Sequence, residues 1–402
     1  MDATFVNPAD LPLRGVRVVE LSHMVMGPAV GVILADLGAE VIKLEPLEGD
    51  HTRNLQGSGA GYFSMYNRNK KSLALNLKSA RGLQIAKQLI HASDVLIENF
   101  RPGALDKLGL GYSELAEENS KLIYCSLKGF LAGPYQHRTA LDEVTQMMGG
   151  LAYMTGVPGK PMRAGSSVID ITGGMFGVIA ILSALQQRHH SNRGQHLSSA
   201  LFETTAFMVG QHMAQQAVSG AEPAPMPVRQ SAWAVYDIFD CDDGSKLFVG
   251  VVSDSAWKVF CEEFGLIDFL RDESLRKNND RVLNRDKLLP RIAEVFLSIP
   301  KHRLLEKLER AGVPFAPINK PADLFEDQHL NESGGLLAVT LADGSRVKLP
   351  ACPIAINGER LGLHSDPPEP GRNSLEILTD LGLDAAEQAE LVADGVVSAP
   401  AQ

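Results

Sequence analysis

The sequence predicts an α/β fold in which a parallel sheet is wrapped by helices. The first two hundred residues alternate short apolar, β-branched runs with segments of helical period, and this alternation is typical of parallel sheets. A length of 402 residues, with 45% hydrophobic and 21% charged residues, indicates a globular protein of about two to three domains. Because the alternation stops near residue 218, we expect a second unit after it.

The N-terminal half supplies the elements of the expected sheet. The run VRVVELS at 16–22 is apolar and β-branched, which favours a strand, and GPAVGVILADLG at 27–38 has helical periodicity and ends at Gly38. The alternation continues with strands at EVIKLE (40–45), DVLIENF (94–100) and KLIYCSLKGF (121–130), an amphipathic helix at SARGLQIAKQLIHAS (79–93), and a helical piece between the last two strands.

The chain changes character near 218–230, where SGAEPAPMPVRQ is rich in Pro, Gly and Ala and is typical of a linker. Two strand-like runs follow around the DDG turn at 242–244, and helical segments then continue to about residue 312. The C-terminal part contains a strand pair around ADGS (342–345), a Pro-rich stretch and a short helix at 384–393.

Charge and composition disfavour several classes of protein. The formal net charge of −10 argues against a nucleic-acid surface and against binding to anionic membranes. The cysteines at 125, 241, 261 and 352 are far apart and form no CxxC, which fits a cytoplasmic protein without disulfides. The N-terminus does not have the pattern of a signal peptide, and the longest apolar helix candidate, around 175–185, falls short of the ~20 residues that span a bilayer. The histidines show no metal-binding spacing, so we expect neither a metal nor a tightly bound cofactor.

Asp170 is the strongest candidate for a catalytic group. It lies at the start of an apolar helix that runs through Leu185, and Gly173 and Gly174 follow it. An acid in that place is either an N-terminal helix cap, which is a common role of Asp, or a nucleophile. The residues alone leave both interpretations open.

The turn between the first strand and the first helix, ELSHMVMGPAVG, is suited to hold a phosphate at the helix N-terminus. It contains only Gly27 and Gly31 and lacks the GxGxxG fingerprint, which disfavours a nicotinamide dinucleotide. Glu45 ends the second strand, where such folds often place a ribose-binding acid, although a solvated strand end fits equally well. No GxSxG is present, which disfavours an α/β-hydrolase.

Basic residues cluster at strand ends and in loops of this acidic chain, and they suit an anionic, phosphate-bearing ligand. Arg101 and Lys128 fall at or just after the ends of two strand candidates, where ligands of open parallel sheets bind. For each residue the alternative is a charged side chain that simply lies in a loop. The cluster comprises Arg53, Arg68, Lys70, Lys71, Lys78, Arg101 and Lys128.

Taken in order, these segments resemble the class III CoA-transferase family, also called the CaiB/BaiF family, which includes formyl-CoA transferase. The resemblance covers nearly the whole chain, and its specificity lies in the order and spacing of the segments. It rests on LRGVRVVELSHMVMGPAVGVILADLGAEVIKLEP, NRNKKSLALNLKSARG, DVLIENFRPGALDKLGLGY, KLIYCSLKGF, SSVIDITGGMFGVIAILSAL followed by RGQHLSSALFE, and AGVPFAPIN.

The resemblance implies an architecture. Family members are similar in having a Rossmann-like large domain built from both chain ends, a smaller α+β domain between them, and two chains that interlock like linked rings. By this resemblance the large domain comprises residues 1–217 and 336–402, the linker is 218–230, and the small domain is 231–335. The expected assembly is a homodimer.

The resemblance also implies a mechanism in which Asp170 attacks an acyl-CoA thioester and gives an aspartyl anhydride and then an aspartyl-CoA thioester. The helix N-terminus is expected to favour the ionised carboxylate, nearby backbone N–H groups to stabilise the oxyanions, and Gly173 and Gly174 to let the thioester approach. The positions that match CoA contacts in the family are His23, Met24, Leu75, Lys78, Arg101 and Lys128.

Two departures from formyl-CoA transferase put formyl or oxalate specificity in doubt. Val25 occupies the place of an active-site glutamine, and VGVVSDSAW at 249–257 stands in place of a glycine-rich loop. We therefore expect succinyl-CoA as the donor and a small dicarboxylate or sulfino acid as the acceptor. The side chains considered for the second acidic group of that acceptor are Arg68, Arg163 and Arg229.

A 2-methylacyl-CoA racemase, which shares the fold, is one alternative. It needs a His–Asp pair to move a proton, but Leu141 stands at the histidine position, with Asp142 retained and His137 displaced by four residues. A CoA-thioester hydrolase is possible as a side activity. A non-catalytic CoA-binding dimer is the alternative from another class of protein, and it is disfavoured by Asp170.

Overall fold

The computed structural model describes residues 4–400 and divides the chain into two units. The larger unit contains the chain up to Pro223 and again from Asp327, and the smaller unit is Ala224–Glu326. The chain thus leaves the larger unit within the segment expected as a linker, but it returns at 327 instead of 336.

The early return has a physical cause in the segment 327–335, which bonds to the C-terminal part of the chain. The carbonyl of Ser333 accepts a hydrogen bond from Arg360 Nε at 3.1 Å, and the carbonyl of Gly335 accepts one from the Ala351 amide at 2.9 Å. These partners lie far along the sequence, so a composition change could not reveal them.

The N-terminal part of the larger unit alternates strands and helices as the sequence predicts. Its strands are β1 (Arg17–Leu21), β2 (Glu40–Glu45), β3 (Lys70–Leu75), β4 (Val95–Glu98), β5 (Ile123–Lys128) and β6 (Gln195–Ala200). Its helices are α1 (Met26–Asp36), α2 (Tyr62–Tyr66), α3 (Ala80–His91), α4 (Tyr112–Glu118), α5 (Asp142–Met148), α6 (Leu151–Thr155), α7 (Val168–Ser191), α8 (Leu201–Met208) and α9 (Gly210–Ser219).

The smaller unit combines antiparallel strands with helices around an aromatic core. Strand β7 (Val235–Asp240) pairs with β8 (Lys246–Val251) across the predicted DDG turn, and β8 pairs with β9 (Phe315–Pro317). Large apolar side chains such as Trp257 and Phe296 fill the core beneath them. The helices are α10 (Asp254–Phe264), α11 (Ile267–Arg271), α12 (Asn278–Leu283), α13 (Arg285–Leu297) and α14 (Lys301–Ala311).

The C-terminal part of the larger unit begins with α15 (Gln328–Glu332) and contains the predicted hairpin around ADGS. The strands are β10 (Leu336–Thr340), β11 (Arg346–Pro350), β12 (Ala355–Ile356), β13 (Glu359–Arg360) and β14 (Val397–Ser398), and the later helices are α16 (Ser374–Asp380) and α17 (Ala385–Ala393). The side chain of Asp384 caps α17 by accepting from the amides of Ala386 and Glu387, each at 2.9 Å.

The main sheet of the larger unit has the strand order β14-β3-β2-β1-β4-β5-β6. Strands β1 to β6 run parallel to their neighbours, and β14 adds antiparallel to β3 at the edge. The expectation of a Rossmann-like sheet to which both chain ends contribute is therefore confirmed. The strand order reverses between β1 and β4, and ligands of such sheets bind in the crevice at that point.

Strand β3 was not predicted, because its first residues resemble a charged loop. The side chain of Lys70 is fully buried, and its Nζ lies 2.7 Å from Glu20 Oε2 on β1. Lys43 on β2 is buried as well and bonds both Asp50, at 2.8 Å, and the carbonyl of Ser22, also at 2.8 Å. Buried charges need such partners, and the pattern of apolar residues does not reveal them.

This buried network also fixes the chain just after β1. Lys43 Nζ donates to the carbonyl of Ser22, and Lys70 Nζ donates to the carbonyl of Pro28 at 3.0 Å. The two lysines therefore hold the backbone before and after the turn that leads into α1. Burial lowers the pKa of Lys70 to about 8 although Glu20 attracts the proton. For Lys43 the attraction of Glu20 and Asp50 outweighs burial, and its pKa is raised.

Helix α7 is longer than the sequence predicted, at 24 residues. One face packs on the core through Ile169, Val178 and Ile181, while the opposite face exposes Met175 and Ile179. Within residues 4–400 it is the single helix long and apolar enough to cross a membrane by length and composition. A core helix of a globular protein passes the same test.

Candidate active site

A cavity of about 370 Å³ lies at the carboxyl ends of the central strands and beside the start of α7. The turn after β1 forms one wall through His23, Met24 and Val25, and Asp170 forms another. Tyr62, Asn99, Lys128, Leu141, Asp142 and Glu143 also line it. The cavity therefore sits where the reversal of strand order predicts a ligand.

Asp170 is half-buried in the first turn of α7, and the amides around it already have partners. The Val168 amide donates to the Ser166 carbonyl at 2.8 Å, and the Ile171 amide donates to the Ser167 carbonyl at 3.0 Å. The amides of Ile169 and of Asp170 itself donate to Asp142 Oδ2, at 2.9 and 3.1 Å. The expectation that these N–H groups stabilise oxyanions is therefore wrong for the first turn.

The pKa of Asp170 is raised to about 7, first because burial disfavours the charged carboxylate and then because of the nearby charge of Asp142. Arg163 acts in the opposite direction but does not offset them. The expected stabilisation of the ionised form by the helix N-terminus is thus contradicted. The physical reason is that Asp142 already occupies the two amides that would have provided it.

Arg163 is the predicted acceptor-binding arginine that lies near Asp170. Its guanidinium forms an ion pair with Glu143 on α5, and its Nε donates to the carbonyl of Ala164 at 3.1 Å. Because both charged groups are partly exposed, a ligand carboxylate can compete for Arg163.

Arg68 does not meet that expectation, whereas for Arg229 it stays a prediction. Arg68 is 2% exposed and forms a bidentate pair with Asp36, with nitrogen–oxygen distances of 2.6 and 3.2 Å, so it supports the fold and is not available to an acceptor. Arg229 lies in the smaller unit and donates to the Met226 carbonyl at 2.6 Å.

The turn that carries His23 is held by Asn99, which follows β4. Asn99 Oδ1 accepts from the His23 amide at 3.1 Å, and Asn99 Nδ2 donates to the His23 carbonyl at 2.7 Å. Met24 has a positive φ of 65°, a strained conformation that is uncommon outside glycine and often found at functional sites. The sequence missed Asn99, although its place directly after a predicted strand was a usable signal.

His23 remains accessible on this turn, with its ring 5.6 Å from that of Phe100. Loss of solvation around the imidazole lowers its pKa. A neutral ring at neutral pH can donate one hydrogen bond and accept another.

Lys128 lines this cavity and a neighbouring one of about 240 Å³ that Arg101 also lines. Its Nζ is 2.6 Å from Glu98 and bonds the Phe100 carbonyl at 2.7 Å, so part of its charge is already neutralised. Arg101 is exposed. The structure therefore brings these two predicted CoA contacts together.

Leu75 and Lys78 lie apart from the lining of these cavities. Leu75 is 1% exposed within the core of the larger unit, so its side chain cannot touch a ligand without unpacking that core. Lys78 follows β3 and is exposed. Of the remaining basic cluster, Arg53 pairs with Glu45, and Lys71 pairs with Glu40 and Glu376. These ion pairs favour the structural interpretation for this part of the cluster.

Gly173 and Gly174 serve helix packing, not approach of a ligand. A Cβ on Gly173 would lie 2.7 Å from Met26 Cε, and one on Gly174 would lie 2.9 Å from the Met26 carbonyl oxygen. Both glycines are buried and let α7 approach α1 closely. The expectation that they make room for a thioester is therefore wrong.

No histidine stands at the position that a racemase needs in this cavity. Leu141 lines it and is 57% exposed, whereas His137 lies outside the lining and bonds Gln136 at 3.0 Å. Asp142 is buried and is committed to the α7 amides. The sequence missed this capping role. It also missed the partner of Asp142, Gln146, although the i, i+4 spacing of the two was a usable signal.

Among residues 4–400, no three His, Cys, Asp or Glu side chains are grouped closely enough to hold a metal ion. The cysteines of this part of the chain are free and buried, and burial raises the pKa of Cys125 to about 12.

Comparisons with known proteins agree with one another. A profile described as CoA-transferase family III matches residues 13–374. The chain is 34% identical to the acetyl-CoA:oxalate CoA-transferase of Acetobacter aceti (91% of this chain, 93% of the relative) and 32% identical to the succinate–glutarate CoA-transferase of Agrobacterium fabrum (92% and 96%). A crystal structure of a CaiB/BaiF family protein from Brucella suis superposes with a TM-score of 0.81 at 34% identity, covering 92% of this chain and 99% of that one.

Proposed function

This chain belongs to CoA-transferase family III, and we propose that it moves CoA from an acyl-CoA donor to a free carboxylic acid through covalent intermediates on Asp170. The single observation that carries the proposal is the position and environment of the Asp170 carboxyl group. It faces a cavity at the switch point of the sheet, and its pKa is raised to about 7. Such a carboxylate is more basic than an ordinary one and is still substantially ionised at neutral pH.

The reaction divides into two matched halves. The Asp170 carboxylate attacks the donor carbonyl carbon, a C–O bond forms, and the C–S bond breaks with its electron pair leaving on the CoA thiolate. The thiolate then attacks the aspartyl carbonyl of this anhydride, and the donor acid leaves as a carboxylate.

The second half returns the enzyme to its starting state. The acceptor carboxylate attacks the aspartyl-CoA thioester and releases the thiolate again. Attack of the thiolate on the acceptor carbonyl gives the new acyl-CoA and restores the Asp170 carboxylate. No oxidant, reductant or external proton is required. Covalent catalysis is needed because a free carboxylate alone is a poor nucleophile toward a thioester.

The turn after β1 and the nearby basic residues support binding of the CoA portion. His23, Met24 and Val25 line the cavity beside Asp170, and Arg101 and Lys128 line the adjoining one. Lysine and arginine side chains beyond the carboxyl ends of strands suit phosphate groups. Lys78 lies apart from these cavities but is exposed, so its contact with the CoA portion stays a prediction, whereas Leu75 contributes to the core.

For the acceptor we infer a small dicarboxylate, with succinyl-CoA as the donor. The two relatives described above are named for oxalate and glutarate, which are dicarboxylates. Arg163 lies near Asp170 and forms an ion pair with Glu143. The second carboxylate of a dicarboxylate acceptor can displace Glu143 from this pair.

The same proposal covers assembly and location. Helices α7 to α9 expose several apolar side chains that we propose a second copy of the chain covers: Met175, Ile179, Phe207, Met213 and Val218. Free buried thiols fit a reducing compartment, which we take to be the cytoplasm.

The test is to incubate the protein with succinyl-CoA in the absence of acceptor, trap with hydroxylamine or borohydride, and map the adducts by peptide mass spectrometry. We expect modification at Asp170, and we expect Asp170→Ala to lose both the adduct and transfer while it remains folded. Glu143→Gln, which removes another carboxylate from the cavity lining, should keep the adduct. Transfer at the wild-type rate by Asp170→Ala would overturn the proposal.

A further inference from the structure

The N-terminus of α7 is capped by a residue from another helix. Ser167 precedes the helix, but its side chain makes no capping hydrogen bond. Instead, Asp142 at the start of α5 places one oxygen, Oδ2, against two consecutive amides, those of Ile169 and Asp170. Asp142 is 4% exposed, so water does not replace it in this role.

A second side chain of α5 holds Asp142 in place. Gln146, one helical turn later, donates its Nε2 to Asp142 Oδ1, and its Oε1 accepts from the Ala164 amide at 2.9 Å. Gln146 is completely buried. The two residues therefore fix both the first turn of α7 and the loop that leads into it.

We propose that Asp142 is a positioning residue for Asp170: it occupies the two amides that would otherwise stabilise the Asp170 carboxylate, and its own carboxyl group lies against the same turn. This inference rests on the proposed covalent role of Asp170. Asp142 itself does not contact the reacting atoms, since both of its oxygens are committed to protein donors.

The charged and titratable groups facing Asp170 come from several segments. Asp142 on α5 raises its pKa, and Arg163 in the preceding loop lowers it. Tyr66 on α2 also interacts with Asp170, and its own pKa is raised, first by burial and then by that carboxylate. Further groups that line the cavity are His23, Lys128 and Glu143, the last of which holds Arg163 in an ion pair.

A basic Asp170 favours the aspartyl-CoA thioester over the anhydride that precedes it. In the first anhydride the CoA thiolate can attack either carbonyl carbon, and the carboxylate on the other side leaves. Attack on the aspartyl carbonyl expels the donor acid, a weaker base than Asp170, whereas attack on the donor carbonyl expels Asp170. The weaker base leaves more readily, so the first anhydride goes forward to the aspartyl-CoA thioester, and by the same argument the second anhydride tends to return to it.

The experiment measures the pH dependence of kcat/KM in wild type, Asp142→Asn and Asp142→Ala. Because the ionised carboxylate is the active form, the wild-type rate should rise with pH through an apparent pKa of about 7 and then level off. Removing the neighbouring charge should move this acid limb to lower pH by about one unit. Wild type should then retain about a tenth of its plateau at pH 6, and Asp142→Asn about half.

Asp384→Asn is the matched control, because Asp384 also caps a helix by accepting from two amides but lies at the start of α17. It should leave the acid limb in place. Asp142→Ala loses the cap as well as the charge. If that variant does not fold, the acid limb of Asp142→Asn alone tests the inference, because asparagine keeps an acceptor oxygen and nearly the same shape as aspartate.

An acid limb for Asp142→Asn that coincides with the wild-type limb overturns this inference. The proposed function survives that result if wild type still forms the Asp170 adduct. Loss of the adduct in wild type overturns the proposed function instead, so the two failures are distinguishable.

Discussion

At the scale of single residues, the surroundings of two carboxyl groups assign them different tasks. Asp142 is buried and fully hydrogen-bonded, whereas Asp170 faces the cavity beside it with its pKa raised to about 7. Neighbouring titratable groups whose environments shift their pKa values differently are typical of active sites. The same residue type, aspartate, is therefore a helix cap at position 142 and a candidate nucleophile at position 170.

Arg163 allows a test of the acceptor at this scale. We expect Arg163→Gln to raise KM for dicarboxylate acceptors by about tenfold, because it removes one partly exposed charge-assisted interaction. Monocarboxylate acceptors, which lack the second carboxylate, should be nearly unaffected. Steady-state kinetics with a panel of acids and succinyl-CoA gives both values.

Arg193→Gln is the control, since Arg193 is exposed and follows the far end of α7 from Asp170. It should change neither class of acceptor. Equal KM changes for mono- and dicarboxylates in Arg163→Gln would contradict the assignment of Arg163 to the second carboxylate.

At the scale of elements, the site depends on how closely α7 approaches α1. Strand β1 leads into the turn that carries His23, and α1 follows that turn directly. Asp170 is carried by α7, whose buried glycines face Met26 at the start of α1. The two helices therefore set the distance between the turn and the carboxylate.

Gly174→Ala tests this contact. A Cβ there would lie 2.9 Å from the backbone carbonyl oxygen of Met26, so one helix must shift. We expect a loss of about 1–3 kcal/mol in the free energy of unfolding, measured by urea denaturation, as for other overpacked contacts. Transfer activity should fall as well, because the shift changes the position of Asp170.

Gly210→Ala is the matched substitution without a clash, since a Cβ at Gly210 meets no neighbouring atom within 4 Å. Its stability should be unchanged or slightly higher because alanine favours helix. A variant Gly174→Ala as stable as Gly210→Ala would show that the two helices tolerate a wider spacing.

At the scale of the whole molecule, the exposed apolar side chains of α7 to α9 favour an interface with a second copy of the chain. Phe207 is 74% exposed and packs edge-to-face on Phe176, and further apolar side chains of the three helices extend the surface. Large contiguous apolar patches on a protein surface usually mark an interface. The outward face of α7 also explains why this helix passes a length-and-composition test for a membrane span.

We predict a homodimer in solution by native mass spectrometry and light scattering. Phe207→Glu should weaken the dimer by at least about tenfold in Kd, because an aromatic anchor in an interface is replaced by a charge. Leu283→Glu, at an equally exposed leucine of α12 (73%), should leave the dimer intact. A wild-type protein that stays monomeric at tens of micromolar, a range in which specific dimers form, would contradict this prediction.

Much of the fold could be predicted from the sequence because it depends on local patterns. The β-branched runs gave β1, β2, β4 and β5, and the DDG and ADGS turns gave the two hairpins. Asp170 could be singled out because an acid at the start of an apolar helix is conspicuous. The order of the motifs was sufficient to identify the family.

The sequence by itself thus determined the α/β class and the family, and it singled out Asp170 as the candidate nucleophile. Only the tertiary structure decided which charges remain available. Arg68 proved to be bound to Asp36, the first α7 amides to Asp142, and Lys70 to Glu20. The physical reason is that strand and helix periodicity depends on residues that are close in the sequence, whereas these ion pairs and caps join residues that are distant in the chain. Their pairing follows from packing, and so does the basicity of Asp170.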